Sequence, residues 1–132
     1  MSAENVEIVR RVFDEWKLGK VGDMEIRSNF HPDVEFLPLR AATEGAYRGL
    51  AGIKKFVADT QQVFEEFDFR YDLLELGERV LAWGHVHVRA RQSGIETDIS
   101  MGGVFEFRDG KIVRWEDFGS KDRALEALGM QG

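Results

Sequence analysis

The sequence predicts an α+β fold in which helices from the N-terminal half lie on one face of an antiparallel sheet. Three observations predict it. Apolar residues recur at the helical period through the first half of the chain, at Val9, Val12, Phe13 and Trp16 and again at Ile53, Phe56, Val57, Thr60, Val63, Phe64 and Phe67. From Phe69 the period changes to two. Between Gly102 and Phe118, two alternating runs flank Asp109-Gly110, a dipeptide that accepts positive φ at both centres of a type I′ turn, so this stretch reads as a hairpin.

Taken in order, Ser2 caps a first helix that Gly19 and Gly22 break. Asp23 caps a short second helix with Ile26 and Phe30 inward, ending at His31-Pro32 because proline disfavours helical geometry in the residue before it. A short strand at 33–37 follows, closed by Pro38, and the segment to Gly49 reads as a loop with turns at Glu44-Gly45 and Arg48-Gly49. The third helix carries the Ile53 to Phe67 stripe. Strands are expected at 69–76, 79–91, 95–108 and 111–118. In the long strand from Arg79, Val80, Ala82, Gly84, Val86, Val88 and Ala90 share the core face, while Leu81, Trp83, His85, His87, Arg89 and Arg91 share the other. A two-residue turn at Ser93-Gly94 would pair Val88 with Ile99, Val86 with Met101 and Gly84 with Gly103, and would set Arg91 against Glu96 and Arg89 against Asp98. Ser120 caps a last helix with Ala124, Leu125 and Leu128 apolar and Gly129 as its stop.

In the hairpin, strict alternation would turn Arg114 onto the core face opposite Phe105, which costs several kcal/mol for an unpaired charge. One extra residue near Val113 or Arg114 removes the conflict, turning Arg114 and Glu116 outward and bringing Trp115 against Phe105 and Asp117 against Gly103. Without that bulge Glu116 faces Gly103 instead. Either register leaves a carboxylate on the inner face beside a glycine.

Composition narrows the function classes. At 132 residues with 43% hydrophobic content, the chain is expected to form one domain over 1–132. A net charge of −6 without a basic stripe argues against nucleic-acid or anionic-membrane partners. The absence of cysteine excludes thiol nucleophiles and cysteine-ligated metals. The first residues lack a basic leader, and no apolar run approaches the ~18 residues of a membrane span, so a cytoplasmic location is expected. No phosphate-binding loop, dinucleotide fingerprint or nucleophile triad is present.

The order of helices and strands, together with F-H-P-D-V-E-F at 30–36, A-Y-R-G at 46–49 and the ending D-G-K-I-V-R-W-E-D-F, resembles the nuclear transport factor 2-like superfamily, and its SnoaL-like branch best. The resemblance covers nearly the whole chain. It implies a cone: a strongly curved sheet whose concave face is covered by helices, enclosing a cavity lined here by Trp16, Phe36, Val86, Met101, Phe105 and Trp115. Members of the superfamily include isomerases, cyclases, dehydratases, epoxide hydrolases and noncatalytic proteins, so fold alone does not choose among them. Trp115-Glu116-Asp117-Phe118 is similar to the segment that carries an acid/base aspartate in limonene-epoxide-hydrolase relatives, which implies Asp117 as the catalytic acid. Gly84 and Val86 stand where those enzymes hold an arginine and a second aspartate, and Phe36 and Pro38 where they hold a tyrosine and an asparagine, so their mechanism is not implied. The oxyanion tyrosine that ketosteroid isomerases place on the first helix is likewise absent, since that helix offers Phe13 and Trp16. SnoaL-type cyclases, which can work with one carboxylate shuttling a proton, fit a lone acid.

Two functional readings follow. One is a cofactor-independent enzyme, an isomerase, cyclase or hydrolase acting through Asp117 on a hydrophobic carbonyl or polycyclic metabolite. The other is a noncatalytic dimeric module that binds a small hydrophobic ligand, with Asp117 capping a turn or accepting a backbone hydrogen bond. Tyr47 is the one further inward polar candidate for ligand binding. His85 and His87 share the outer face with charged pairs and have no third ligand in the local pattern, so no metal is expected. Leu81, Trp83 and Val104 make an apolar patch on that face, from which a homodimer anchored by Trp83 is expected.

Overall fold

The computed structural model describes residues 2–39 and 45–130. Helices α1 (Ser2–Lys17) and α2 (Asp23–Asn29) precede strands β1 (Phe30–Leu37) and β2 (Tyr47–Arg48). Helix α3 (Gly49–Val63) leads into β3 (Phe64–Leu76), β4 (Arg79–Ala90), β5 (Glu96–Arg108) and β6 (Lys111–Asp117), and α4 (Lys121–Ala127) closes the described chain. The sheet has six strands in the order β2-β1-β6-β5-β4-β3. It is mixed rather than wholly antiparallel: β1 runs parallel to β6, pairing Phe36 with Trp115, while every other pair is antiparallel. The expected α+β architecture, with α1 and α3 burying their apolar stripes on one sheet face, is what the chain adopts. Val9, Val12, Phe13, Trp16, Ile53, Phe56 and Val57 are all buried in that layer with Val86, Met101, Phe105 and Trp115 of the sheet. No helix among the described residues is long and apolar enough to cross a membrane.

The β5–β6 hairpin forms in the bulged register. Asp109 and Gly110 take φ of 54° and 74°, as a type I′ turn requires. Arg108 pairs with Lys111 and Phe107 with Ile112; the register then shifts, so that Glu106 meets Arg114, Phe105 meets Trp115 and Gly103 meets Asp117. Val113 is the extra residue. The bulge keeps Arg114 out of the core, where it hydrogen-bonds Glu35 and Glu116, and Arg48 also binds Glu35. Of the two carboxylates the sequence left open, Asp117 is the inward one.

Several expectations need correction. The β4–β5 pairing is displaced by two residues: Val86 faces Ile99, Val88 faces Thr97 and Ala82 faces Gly103. The connection is a longer loop over 91–95, closed by Gly94 N–H to Ala90 O (2.9 Å) and Ala90 N–H to Ile95 O (2.9 Å), instead of a two-residue turn. A shift of two keeps every side chain on its expected face, because faces alternate with period two. The charge pairs change: Arg91 leaves the sheet and donates to Gln61 O (2.9 Å), Arg89 binds Glu65 and Glu66, and Asp98 stands opposite His87.

The third helix stops at Val63, and β3 begins at Phe64 instead of 69. Phe64 and Phe67 fit a helical stripe by spacing, but Phe67, Phe69, Tyr71 and Leu73 also alternate, and pairing with Val88, Val86, Gly84 and Ala82 captures them for the sheet. At the other end of the molecule, β1 begins at Phe30 and tolerates Pro32 because its ladder to β6 is interrupted between Phe30 and Glu35. The segment before α3, read as loop, contributes the short β2. Gly22, not Asp23, precedes the first turn of α2, its N–H held by Glu25 Oε1 at 2.8 Å. The turn expected at Glu44-Gly45 begins outside the described residues.

The outer apolar patch is covered by the chain itself. Leu81 (0% exposed) and Val104 pack with Ala124 and Leu125 of α4, flanked by Leu76, Trp83, Phe118 and Leu128. Lys121 Nζ lies 4.3 Å from the Trp83 ring centroid. α4 can approach this closely because position 102 is glycine: a β-carbon there would stand 2.0 Å from Ser120 O. The homodimer therefore loses the patch from which it was read.

Candidate functional site

Between the helices and the concave sheet face lies a cavity of about 260 Å³. Its wall includes Trp16, Phe36, Val86, Met101, Trp115 and Asp117, which were expected there. Two of the expected residues do not reach it. Phe105 is fully buried behind Trp115, with ring centroids 4.7 Å apart. Tyr47 packs edge-on against Phe56 at 5.3 Å and beside Phe36 at 6.3 Å, outside the lining. Phe56, Thr60, Phe64, Phe67, Phe69 and Ser100 are lining residues that sequence reasoning missed. Alternation from Phe67 to Leu73 was the signal that could have found Phe67 and Phe69.

Indole and phenyl rings dominate the wall and hold one another in place. Trp115 is the hub: its centroid lies 4.4 Å from Phe36, 5.3 Å from Trp16, 6.0 Å from Phe13 and 6.5 Å from Phe30. Offset and edge contacts of this kind each contribute about 0.5–1.5 kcal/mol beyond area burial. Phe13 in turn stacks on Phe69 at 4.3 Å.

Asp117 is the acid on this wall. It ends β6, where the alternation set by the Val113 bulge points it inward, and its Oδ1 accepts hydrogen bonds from the backbone N–H of Gly102 (3.0 Å) and of Gly119 (2.9 Å). These bonds close the turn from β6 to α4 and leave Oδ2 without a hydrogen bond. The turn-closing role weighed in the sequence is thus taken by Oδ1 of a side chain that also lines the cavity. Ser100, also on the wall, is committed to Gly119 O at 2.7 Å.

The glycines behave differently from the expected facing pair. Gly84 lies opposite Met101, with φ of 147°, and a β-carbon there would stand 2.1 Å from Arg70 O; it serves the close approach of β3, not the cavity. Gly103 does neighbour Asp117, but the space above it is taken by the Trp115 indole, whose Nε1 would be 2.8 Å from a β-carbon.

On the outer face, His87 gains the neighbour that the local pattern lacked. Its Nδ1 lies 2.7 Å from Asp98 and its Nε2 3.0 Å from Glu96, and Glu66 of β3 brings a further carboxylate within 4.8 Å of the His87 and Glu96 ligand atoms. Glu66 is already paired with Arg89 at 2.9 Å, which ties this carboxylate to the neighbouring strand's cation. Hydrogen bonds to Glu96 and then Asp98 raise the His87 pKa, and the bond to His87 lowers those of both carboxylates.

Residues 9–115 match the family model of the SnoaL-like domain. No curated protein matches the chain. Among solved structures, the chain is similar to a candidate SnoaL-like polyketide cyclase from Jannaschia sp. CCS1, with 20% identity and a TM-score of 0.77 over 89% of this chain and 85% of that one. It is also similar to TerC co-crystallised with polyporic acid, at 25% identity and a TM-score of 0.75 over 96% of this chain and 98% of that one. A third similar structure is a protein with a ketosteroid isomerase-like fold from Catenulispora acidiphila DSM 44928 in complex with trimethylamine, at 17% identity and a TM-score of 0.73 over 94% and 93% of the two chains.

Proposed function

The chain belongs to the SnoaL-like domain family, and from that premise we propose that it is an acid/base enzyme of the isomerase, cyclase or hydrolase type, acting on a small hydrophobic carbonyl or polycyclic metabolite held in the cavity. The observation that carries the proposal is Asp117: a carboxylate on an otherwise mainly aromatic wall, with one oxygen fixed by two backbone amides and the other without a hydrogen bond. A fixed carboxylate with a free oxygen is what proton transfer to and from carbon needs, because the base then meets the C–H bond without reorganising. The polyporic acid and trimethylamine bound by two similar proteins support a small-molecule ligand. A volume of about 260 Å³ falls just below the ~300–1,000 Å³ of drug-sized pockets and favours a ligand of about two fused rings.

The test uses 2-tetralone, a bicyclic ketone with acidic α-hydrogens, incubated with the protein in D2O and followed by NMR. Wild type is expected to speed deuterium uptake at the α-carbons, and Asp117→Asn to abolish the acceleration. Equal uptake with wild type and the variant would refute Asp117 as the base. A second reading, ligand binding without catalysis, is favoured by the two turn-closing hydrogen bonds of Oδ1, which give Asp117 a structural reason to be present. It predicts binding of the ketone with no acceleration by wild type.

A further inference from the structure

Resting on the reading of Asp117 as the base, we infer that the indole N–H of Trp115 is the hydrogen-bond donor for the substrate's carbonyl oxygen, so that Trp115 and Asp117 together form the polar end of the cavity and select ligands with a carbonyl next to an acidic C–H. Trp115 was expected as apolar lining. Its nitrogen, however, is placed as a polar group. The ring is 6% exposed and clamped by Phe36, Phe105 and Trp16, yet Nε1 has no hydrogen-bond partner in the structure. Among the described residues the fully enclosed side-chain nitrogen or oxygen without a hydrogen bond is Arg89 Nε, which has the Glu65 carboxylate 2.9 Å away as an ion-pair partner. Trp115 Nε1 is therefore not fully enclosed, and its N–H is open to the cavity that Trp115 lines.

Its position matches its chemistry. Nε1 lies over Gly103, at 2.8 Å from where a β-carbon would stand, and Gly103 is the cross-strand partner of Asp117. Directly opposed residues of an antiparallel pair have Cα atoms about 4.5–5.5 Å apart, so donor and carboxylate sit over neighbouring points of the same sheet face. That spacing suits a carbonyl oxygen and the hydrogen on its α-carbon. In the reaction Asp117 Oδ2 takes the α-proton, the C–H electron pair becomes the enolate C=C, and the negative charge that moves to oxygen is met by the indole N–H, which keeps its own proton. Returning the proton from Oδ2 to carbon restores the carboxylate. A donor held by aromatic stacking is fixed before charge develops, the condition under which such donors contribute most. A side chain at 103 would displace the indole, which gives the glycine a reason beyond sheet geometry.

The experiment compares 2-tetralone with tetralin, its carbonyl-free counterpart, using 15N-labelled protein. The three tryptophans give three indole N–H resonances, and loss of one in Trp115→Phe assigns it. The Trp115 resonance is expected to move on adding the ketone but not tetralin. In Trp115→Phe, ketone affinity should fall about tenfold more than tetralin affinity, equivalent to about 1.4 kcal/mol of lost ketone preference. Wild-type α-hydrogen exchange should fall about 10²-fold or more in that variant, the usual cost of one oxyanion donor. Asp117→Asn should lose exchange while keeping the ketone-specific indole shift. Should Trp115→Phe fail to fold, Gly103→Ala, which keeps the indole but moves it, is expected to show the same loss of ketone preference. The inference is overturned if both ligands shift the indole alike, if a folded Trp115→Phe retains ketone preference and exchange, if Gly103→Ala must stand in and retains them, or if the ketone does not bind at millimolar concentration. Loss of exchange in Trp115→Phe with none in Asp117→Asn would instead refute the carboxylate as base and leave the donor standing.

Discussion

Replacing Asp117 separates its two roles by magnitude. Its Oδ1 holds Gly102 N–H, a buried backbone group, and Gly119 N–H, which is half-buried. Hydrogen bonds to a charged acceptor contribute about 1.5–3 kcal/mol each and those to a neutral one about 0.5–1.5. Asparagine can present its carbonyl to the same two donors, so Asp117→Asn should cost about 1–2 kcal/mol after allowing for the partly solvated site. Alanine removes the acceptor and leaves Gly102 N–H enclosed without a partner, so Asp117→Ala should cost about 3–4 kcal/mol. In a domain of this size each kcal/mol lowers Tm by about 3–5 °C, which puts the two variants well apart in a thermal melt. Exchange of ketone α-hydrogens should follow the other oxygen: both variants lose about 10²–10⁴-fold, the range for a general base, whatever their stability. An alanine variant that melts with wild type would refute the hydrogen-bonding role, and an asparagine variant that still exchanges would refute the base.

Other expected outcomes test the frame around the acid. Leu81→Ala should cost about 2–5 kcal/mol in chemical denaturation because Leu81 is sealed beneath α4; a cost below about 1 kcal/mol would mean that the helix does not cover this face. Gly103→Ala should change the near-ultraviolet circular dichroism by moving the Trp115 indole, and an unaltered spectrum would contradict the close approach. His87→Ala should be more destabilising near pH 5.5 than near pH 8.5, read as the Tm difference from wild type. A raised His87 pKa gives stability present below the unfolded value of 6.5 and lost as pH rises through the folded value. The lowered pKa values of Glu96 and Asp98 act oppositely, giving stability that is present above their ordinary 4.5 and 3.8 and lost as pH falls through the folded values. The network is therefore strongest between the carboxylate and imidazole ranges, and a pH-independent difference would mean that it does not form.

Local chemistry made much of this fold legible, and tertiary pairing decided the rest. The Asp109-Gly110 turn and the penalty for burying Arg114 were enough to call for a bulge near Val113 or Arg114, because both act within a few residues, while the choice between Asp117 and Glu116 as the inward carboxylate waited on the register that the structure shows. The β4–β5 register was not decidable by the same means. Charge pairing of Arg89 and Arg91 with Asp98 and Glu96 looked self-consistent, but surface pairs contribute under ~1 kcal/mol, too little to outweigh a loop in which Arg91 binds the end of α3. Faces survived the error because a slip of two is silent to hydrophobic alternation. Phe64 and Phe67 satisfied two periods at once, and only the presence of β4 opposite them selects the strand.

The apolar outer patch was misread for a related reason. Leu81, Trp83 and Val104 do require a cover, but nothing in their spacing says whether it comes from another molecule or from Ala124 and Leu125 further along the chain. The decisive residue was Gly102, whose missing β-carbon admits Ser120 at a distance no other residue allows. That same approach brings Gly119 N–H beside Gly102 N–H, and Asp117 Oδ1 bridges the two. Docking α4 on the outside of the sheet thus fixes the carboxylate on the inside. If Asp117 is the base as proposed, a variant that loosens α4 without touching the cavity, such as Leu125→Ala, should therefore lower α-hydrogen exchange by more than its loss of folded protein accounts for, since it frees the Asp117 oxygen held by Gly102 and Gly119.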